Sequence, residues 1–241
     1  TAANSARDGY RHPAETLQFF KVRPDMTVVE IWPAGGWYTE ILAPYLKDNG
    51  KYYAAHFPAD TAVDYYRRAL DGFKAKLEAA PDLYGEVELV TFDPGQGVLT
   101  VPEGAADRVL TFRNVHNWLR SNGEQTAFDL FYKALKPGGI LGVVEHRGKP
   151  GSDRETMLNT GYMDEDAVIA LALNAGFVLD GRSEINANLR DTKDHPQGVW
   201  TLPPSLRLGD QDRERYLAIG ESDRMTLRFR KPENGAVPSR D

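Results

Sequence analysis

Short apolar runs of strand length alternate along this chain with longer segments whose apolar positions recur every three or four residues. Val28, Val29 and Ile31 predict a first strand over 26–32, and a helix over 37–47 follows. Asp48-Asn49-Gly50 is a turn, because Gly and Asn tolerate positive φ, and it leads to a second strand over 51–56. Val63, Tyr66, Leu70, Phe73 and Leu77 share one helical face, predicting a helix over 60–80 that Pro81-Asp82 stops. Strands three and four are expected over 86–92 and 106–112, and a helix over 123–135. Lys136-Pro137-Gly138-Gly139 ends that helix, since Pro cannot continue it and Gly supplies the reversal. The unbroken apolar run 140–144 reads as a buried fifth strand. Segment 164–175 is helical, with Asp164 as cap and Gly176 as stop, before a sixth strand over 177–183. Residues 186–222 are rich in turn formers and predict a long excursion, after which 225–230 forms the last strand.

Alternation of strands and helices predicts a largely parallel sheet with helices on both faces, and its ligand site lies at the carboxyl ends of the strands. A strand arriving after a long excursion often enters antiparallel. The N-terminal arm, 1–24, carries Tyr10-Arg11-His12-Pro13 and a short helix over 14–20. The 241 residues suit one domain with added arms.

Composition narrows the function. The net charge of −6 speaks against a general nucleic-acid role, which needs Lys and Arg to neutralise phosphates. Arg228-Phe229-Arg230-Lys231 is the one short basic cluster singled out, and it reads as a strand with a solvated end. The absence of cysteine excludes disulfides, thiolate metal sites and a cysteine nucleophile. No window is long and apolar enough to span a bilayer. The start at Thr1-Ala2-Ala3-Asn4-Ser5, without Met, fits a mature exported (periplasmic) protein and equally a trimmed cytoplasmic one. A small-molecule substrate is expected; the oligomeric state is not legible.

Pro33-Ala34-Gly35-Gly36 makes a tight turn between the first strand and its helix, where small residues let a ligand approach the backbone. His56, His116 and His146 sit just past strands two, four and five, on one rim of the sheet. With the order 3-2-1-4-5 that a family resemblance implies, strands two and five are roughly 14 Å apart, so the three imidazoles do not readily meet at one ion. His116 and His146 come from adjacent strands and can meet, with Glu145 or Asn117; no metal is expected, and a metal-assisted hydrolase remains a third reading. His116, His146 or Glu145 is a candidate general base. Tyr38 opens the first helix and either touches a ligand or packs in the core. Arg11 can clamp a carboxylate or phosphate bidentately, and Asn117 is a second candidate for holding substrate. Asp153-Arg154 and Asp194-His195 read as loop residues of excursions over the site.

Several stretches together carry a resemblance: Val-Val-Glu-Ile-Trp-Pro-Ala-Gly-Gly-Trp-Tyr-Thr-Glu-Ile-Leu (28–42), Arg-Asn-Val-His-Asn-Trp (113–118), Leu-Lys-Pro-Gly-Gly-Ile-Leu-Gly-Val-Val-Glu-His-Arg (135–147), Ala-Gly-Phe-Val-Leu (175–179) and Arg-Phe-Arg-Lys-Pro (228–232). Through them most of 10–231 resembles the class I S-adenosylmethionine-dependent methyltransferases, and within these a bacterial group of predicted, often exported, methyltransferases. The resemblance implies a Rossmann-like α/β fold with a seven-stranded sheet of order 3-2-1-4-5-7-6, the last strand antiparallel. It implies S-adenosylmethionine as cofactor. Glu30 would lie near the cofactor's amino-acid moiety, Pro33, Ala34, Gly35 and Gly36 at its turn, Asp93 beside the adenine and Asn114 along the methionine part.

The chain departs from that pattern at three places. The Gly-x-Gly-x-Gly of the superfamily becomes Trp32, Ala34 and Gly36. His56 stands where an acidic residue usually holds both ribose hydroxyls, and a neutral imidazole accepts one hydrogen bond where a carboxylate accepts several. Two readings therefore stand beside each other: methyl transfer to an unidentified small molecule, and a binding protein that keeps the fold without the cofactor.

Overall fold

The computed structural model describes residues 1–233. Its strands are β1 (Thr27–Ile31), β2 (Lys51–His56), β3 (Val87–Asp93), β4 (Val98–Leu99), β5 (Ala106–Phe112), β6 (Leu135–His146), β7 (Val178–Ser183) and β8 (Arg224–Arg230). They form one sheet of order β4-β3-β2-β1-β5-β6-β8-β7. From β3 through β6 all neighbours are parallel, whereas β8 runs antiparallel to both β6 and β7. The seven expected strands thus stand in the expected order. The eighth, β4, is a two-residue strand folded back on β3, too short to leave a periodic trace in the sequence.

Other differences are local. The helix expected from residue 60 begins at Asp64, and β6 starts at Leu135, so the Lys-Pro-Gly-Gly segment belongs to an irregular strand opening rather than to a loop. A register shift against β5 absorbs the irregularity. Asp153 is not a plain loop residue: its Oδ1 accepts from Thr156 N at 2.8 Å and caps a helix, Arg154–Thr160. The excursion holds a further helix, Arg213–Ile219.

Helices cover both faces. On one, Trp118, Phe128 and Phe131 pack against Val29, Ile31, Val109, Leu141 and Val143. On the other, Phe20, Leu42, Leu46 and Phe73 pack against Val28, Tyr52, Ala54 and Leu110. The period-two alternation of strands places Glu30 with Val28, and His56 with Tyr52 and Ala54, on this second face. Glu145 falls with Leu141 and Val143 on the first. These parities set which partners each polar side chain finds at the carboxyl rim.

Candidate functional site

The turn after β1 holds three left-handed positions, only one of them a glycine. Trp32, Ala34 and Gly36 all have positive φ, of 46°, 51° and 75°. A non-glycine residue in this region costs about 1–2 kcal/mol, so two such costs are carried by one turn. Gly36 is required by packing as well: a Cβ there would stand 3.0 Å from Phe73 Cε2 and 3.2 Å from Thr39 Oγ1. Gly35 is exposed and has nothing within 4 Å of a built Cβ. Lys76 Nζ donates to the carbonyls of Gly35 and Gly36, at 3.1 Å each, and to Glu40.

Trp32 fills much of the corner. Its ring lies 4.6 Å from Phe57, 5.5 Å from Tyr66, 5.8 Å from Phe92 and 5.9 Å from Trp118, centroid to centroid. Its Nε1 donates to Phe92 O at 3.1 Å. A cleft of about 190 Å³ remains on the outer side, lined by Trp32, Phe57, Tyr66, Asp93, Gly95 and Ser121, among others. Asp93 uses Oδ1 to accept from Gly95 N and Gln96 N; its other oxygen has no donor among the described residues.

His56 is fully buried between Phe57 and Phe73, and its Nε2 lies 3.2 Å from Ala34 O. Burial pushes its pKa down to about 4, so the ring is neutral and donates to that carbonyl. It braces the turn from the place where the resemblance puts a ribose ligand. Glu30 is likewise enclosed, bonded by Tyr52 and, at 3.3 Å, by Thr39 Oγ1. Burial raises its pKa to about 7.

One strand further along, β5 and β6 bring His116, Glu145 and His146 together. Glu145 is fully buried and accepts from four donors: Val115 N at 2.6 Å, His116 N at 3.4 Å, His116 Nδ1 at 3.0 Å and His146 N at 2.7 Å. With Nδ1–H of His116 given to Glu145, the Nε2 of His116 carries a lone pair; this tautomer follows from the network. His146 Nδ1 lies 2.5 Å from Ser222 Oγ, and the two imidazoles are 5.2 Å apart. Burial, then His116, pushes His146 well below the usual histidine range, so it is neutral. Ligand atoms of His116, Glu145 and His146 lie within 4.8 Å of one another, a spacing that a metal ion could bridge. Glu145 already spends both oxygens, so it orients His116 rather than offering a ligand, and two imidazoles are left.

The remaining sequence candidates are placed as follows. Tyr38 stacks on Phe112 at 3.6 Å, and its hydroxyl donates to Arg11 O at 3.4 Å. Asn114 Nδ2 donates to Ile31 O at 2.9 Å, tying β5 to β1 across the rim. Asn117 is half-buried and Pro33 buried. Arg11 is buried, with its guanidinium 4.5 Å above the Trp37 ring. His195 stands apart from the rim histidines, its Nε2 2.8 Å from Asp191 Oδ1.

Sequence reasoning missed Arg113, Glu221, Ser222 and Arg224, which complete this rim. Arg113 follows the apolar run of β5 directly, and a charge at such a boundary was the one available signal. The other three close the long excursion, and nothing local marks them.

No family model matches the sequence, and no curated protein matches it at a significant level. Solved structures do. A SAM-dependent methyltransferase from Aquifex aeolicus is 14% identical, with 94% of this chain and 93% of that chain covered and a TM-score of 0.62. The [4+2]-cyclase SpnF is 16% identical over 92% of this chain and 80% of that one, with a TM-score of 0.63. A TehB-like SAM-dependent methyltransferase from Corynebacterium glutamicum is 12% identical over 91% and 86%, with a TM-score of 0.53. At these identities the likeness establishes the fold, which is Rossmann-like and of the methyltransferase type. The cyclase among the neighbours means that the fold alone does not fix the reaction.

Proposed function

We propose that the chain binds S-adenosylmethionine across the carboxyl ends of β1–β3 and methylates a small molecule at the His116–His146 centre. The observation that carries this reading is the placement of a carboxylate-backed imidazole, His116 on Glu145, at the rim of a methyltransferase-type sheet beside the β1 turn.

The residues fit an adenosyl group at its base end. Aromatic faces of Trp32, Phe57 and Tyr66 line the cleft, and Asp93 has a carboxylate oxygen open to an exocyclic amine. The ribose end fits less closely, because His56 is turned to Ala34 O. The cleft is also below the roughly 300 Å³ at which ligand pockets begin, so the Trp32 ring has to shift to enclose a whole cofactor.

When bound, the cofactor supplies a methyl group on a sulfonium. His116 takes the proton from the acceptor's nucleophilic atom at Nε2, and Glu145 stabilises the imidazolium that forms. Neutral His146, held through Nδ1 by Ser222, keeps Nε2 for a hydrogen bond that orients the acceptor. Calorimetry with S-adenosylhomocysteine tests the reading: saturable binding is expected, and no heat at millimolar ligand overturns it.

A second reading, a binding protein without the cofactor, is favoured by Trp32 and His56, whose polar atoms are both satisfied inside the corner. Under it, wild-type protein ignores both S-adenosyl compounds.

A further inference from the structure

The N-terminal arm and the start of β8 bring three guanidinium groups to one carboxylate, and Arg113, just past the end of β5, feels the same carboxylate only through its charge. Arg7 Nε donates to Glu221 Oε1 at 2.5 Å, and Arg224 Nη2 bonds Glu221 Oε2. Arg11 Nε stands 3.7 Å from Oε2, an ion pair without a hydrogen bond. Arg113 makes no side-chain hydrogen bond or ion pair among the described residues, although it acts on Arg11, Tyr38, Glu30 and His146 through its charge.

These groups are not a solvated face. Arg11 is 4% exposed, Arg224 2% and Glu221 2%. The Nε atoms of Arg11 and Arg224 are buried without any hydrogen-bond partner. Buried donors are paired in folded proteins, and an unmatched buried charge is costly. Burial alone would raise Glu221, yet Arg224, Arg7 and Arg11 hold it down at about 2. Burial and then Arg113 press Arg11 down to about 8; burial and then Arg224 press Arg113 to about 10. A guanidinium does not release its proton in a protein, so the excess positive charge stays. Neither Glu30 nor Glu145 makes an ion pair with these arginines among the described residues; Glu145 is paired with His116 instead.

We propose that Arg113, with Arg11 and Arg224, binds the anionic group of a small-molecule ligand, a carboxylate or a phosphate, beside the His116–His146 pair. Arg224 is the register partner of His146 across β6 and β8, and Arg113 leads directly into the turn that carries His116. An anion held there leaves the rest of its molecule facing the imidazoles. Arg113 is half-buried, and its planar fork suits two oxygens of one group. The anion belongs either to the methyl acceptor or to the amino-acid end of the cofactor. Anion binding itself does not depend on the methyl-transfer reading.

The test uses the full chain at fixed ionic strength, by calorimetry and thermal unfolding, with inorganic phosphate and then citrate. Saturable binding and a rise in Tm are expected. Arg113→Gln weakens it at least about tenfold, as loss of a charge-assisted pair does, while Arg113→Lys keeps part of the affinity. Ligand-free Arg113→Gln unfolds at or above the wild-type temperature, because an unmatched cation is removed; a merely structural arginine would lower it. S-adenosylhomocysteine and 5′-methylthioadenosine, which lacks the amino-acid end, separate the sources. If Arg113→Gln weakens only the former, the anion is the cofactor's. If phosphate and S-adenosylhomocysteine bind together, it is the acceptor's. Phosphate binding without any S-adenosylhomocysteine binding removes the methyl-transfer reading and leaves this one. Absence of saturable phosphate and citrate binding at tens of millimolar, or equal binding by Arg113→Gln, overturns the proposal.

Discussion

His116 Nδ1 sits 3.0 Å from Glu145 Oε1, and both residues are buried. The same carboxylate receives the backbone N–H groups of Val115, His116 and His146, so it fastens the turn after β5 to the end of β6 while fixing the His116 tautomer.

Glu145→Gln separates these duties from simple charge. A glutamine has one acceptor oxygen, and its NH₂ must face donors whichever way it turns. Leaving buried N–H groups unpaired costs about 1–3 kcal/mol each. We expect a fall in stability of about 2–4 kcal/mol by denaturant titration. An unchanged midpoint would mean that the turn is held by other contacts.

Seven strands were legible because apolar runs or alternations end at turn formers, and the strand order that the resemblance implied then put His116 and His146 side by side. The helix Arg154–Thr160 was not, since it buries only Met157 and so lacks a periodic stripe. The arginine cluster was hidden for a different reason. It joins residues 7, 11, 113, 221 and 224, which only the docking of the arm on the start of β8 brings together. Charged residues at strand ends ordinarily read as solvated. The enclosure of Glu30 by Thr39 and Tyr52, in contrast, follows from strand parity, which sets Glu30 on the face covered by Thr39–Leu46.

Glu30 predicts a pH-dependent stability difference. Its ordinary pKa of 4.5 is raised to about 7 by burial. Between these values the folded state binds more protons than the unfolded one. The stability from neutral Glu30 is therefore complete below about pH 4.5 and lost as the pH rises through 7. The loss amounts to about 3 kcal/mol. Glu30→Gln mimics the neutral carboxyl, so it should match wild type near pH 5 and exceed it at pH 8. Denaturant midpoints at the two pH values measure this, and a constant difference would show that Glu30 does not titrate in that window.

The turn residues should respond in opposite directions. Gly36→Ala meets Phe73 and Thr39 and adopts a φ of 75° as a non-glycine residue, costing about 2–4 kcal/mol. Gly35→Ala meets nothing and should stay within about 0.5 kcal/mol of wild type. Ala34→Gly relieves a φ of 51° and should stabilise by about 1 kcal/mol. Thermal unfolding of the three variants reads this directly. Equal effects at 35 and 36 would contradict the packing argument.

Trp32 decides between the two functional readings. Its ring packs on Phe57, Tyr66, Phe92 and Trp118, so Trp32→Gly loses about 3–5 kcal/mol of packing, offset in part by relief of a φ of 46°. Ligand binding then separates the cases. If Trp32 is a wall on which an adenine stacks, S-adenosylhomocysteine quenches its fluorescence in the wild type. Removal of the ring then weakens binding about tenfold, the scale of a lost aromatic contact. If Trp32 is a plug, wild type shows no binding and the variant gains it. We expect the first pattern, because the cleft lies along the Trp32 ring and beside Asp93. Trp32→Phe should hold an intermediate affinity, since it keeps a flat face but loses the hydrogen bond to Phe92 O that fixes the ring.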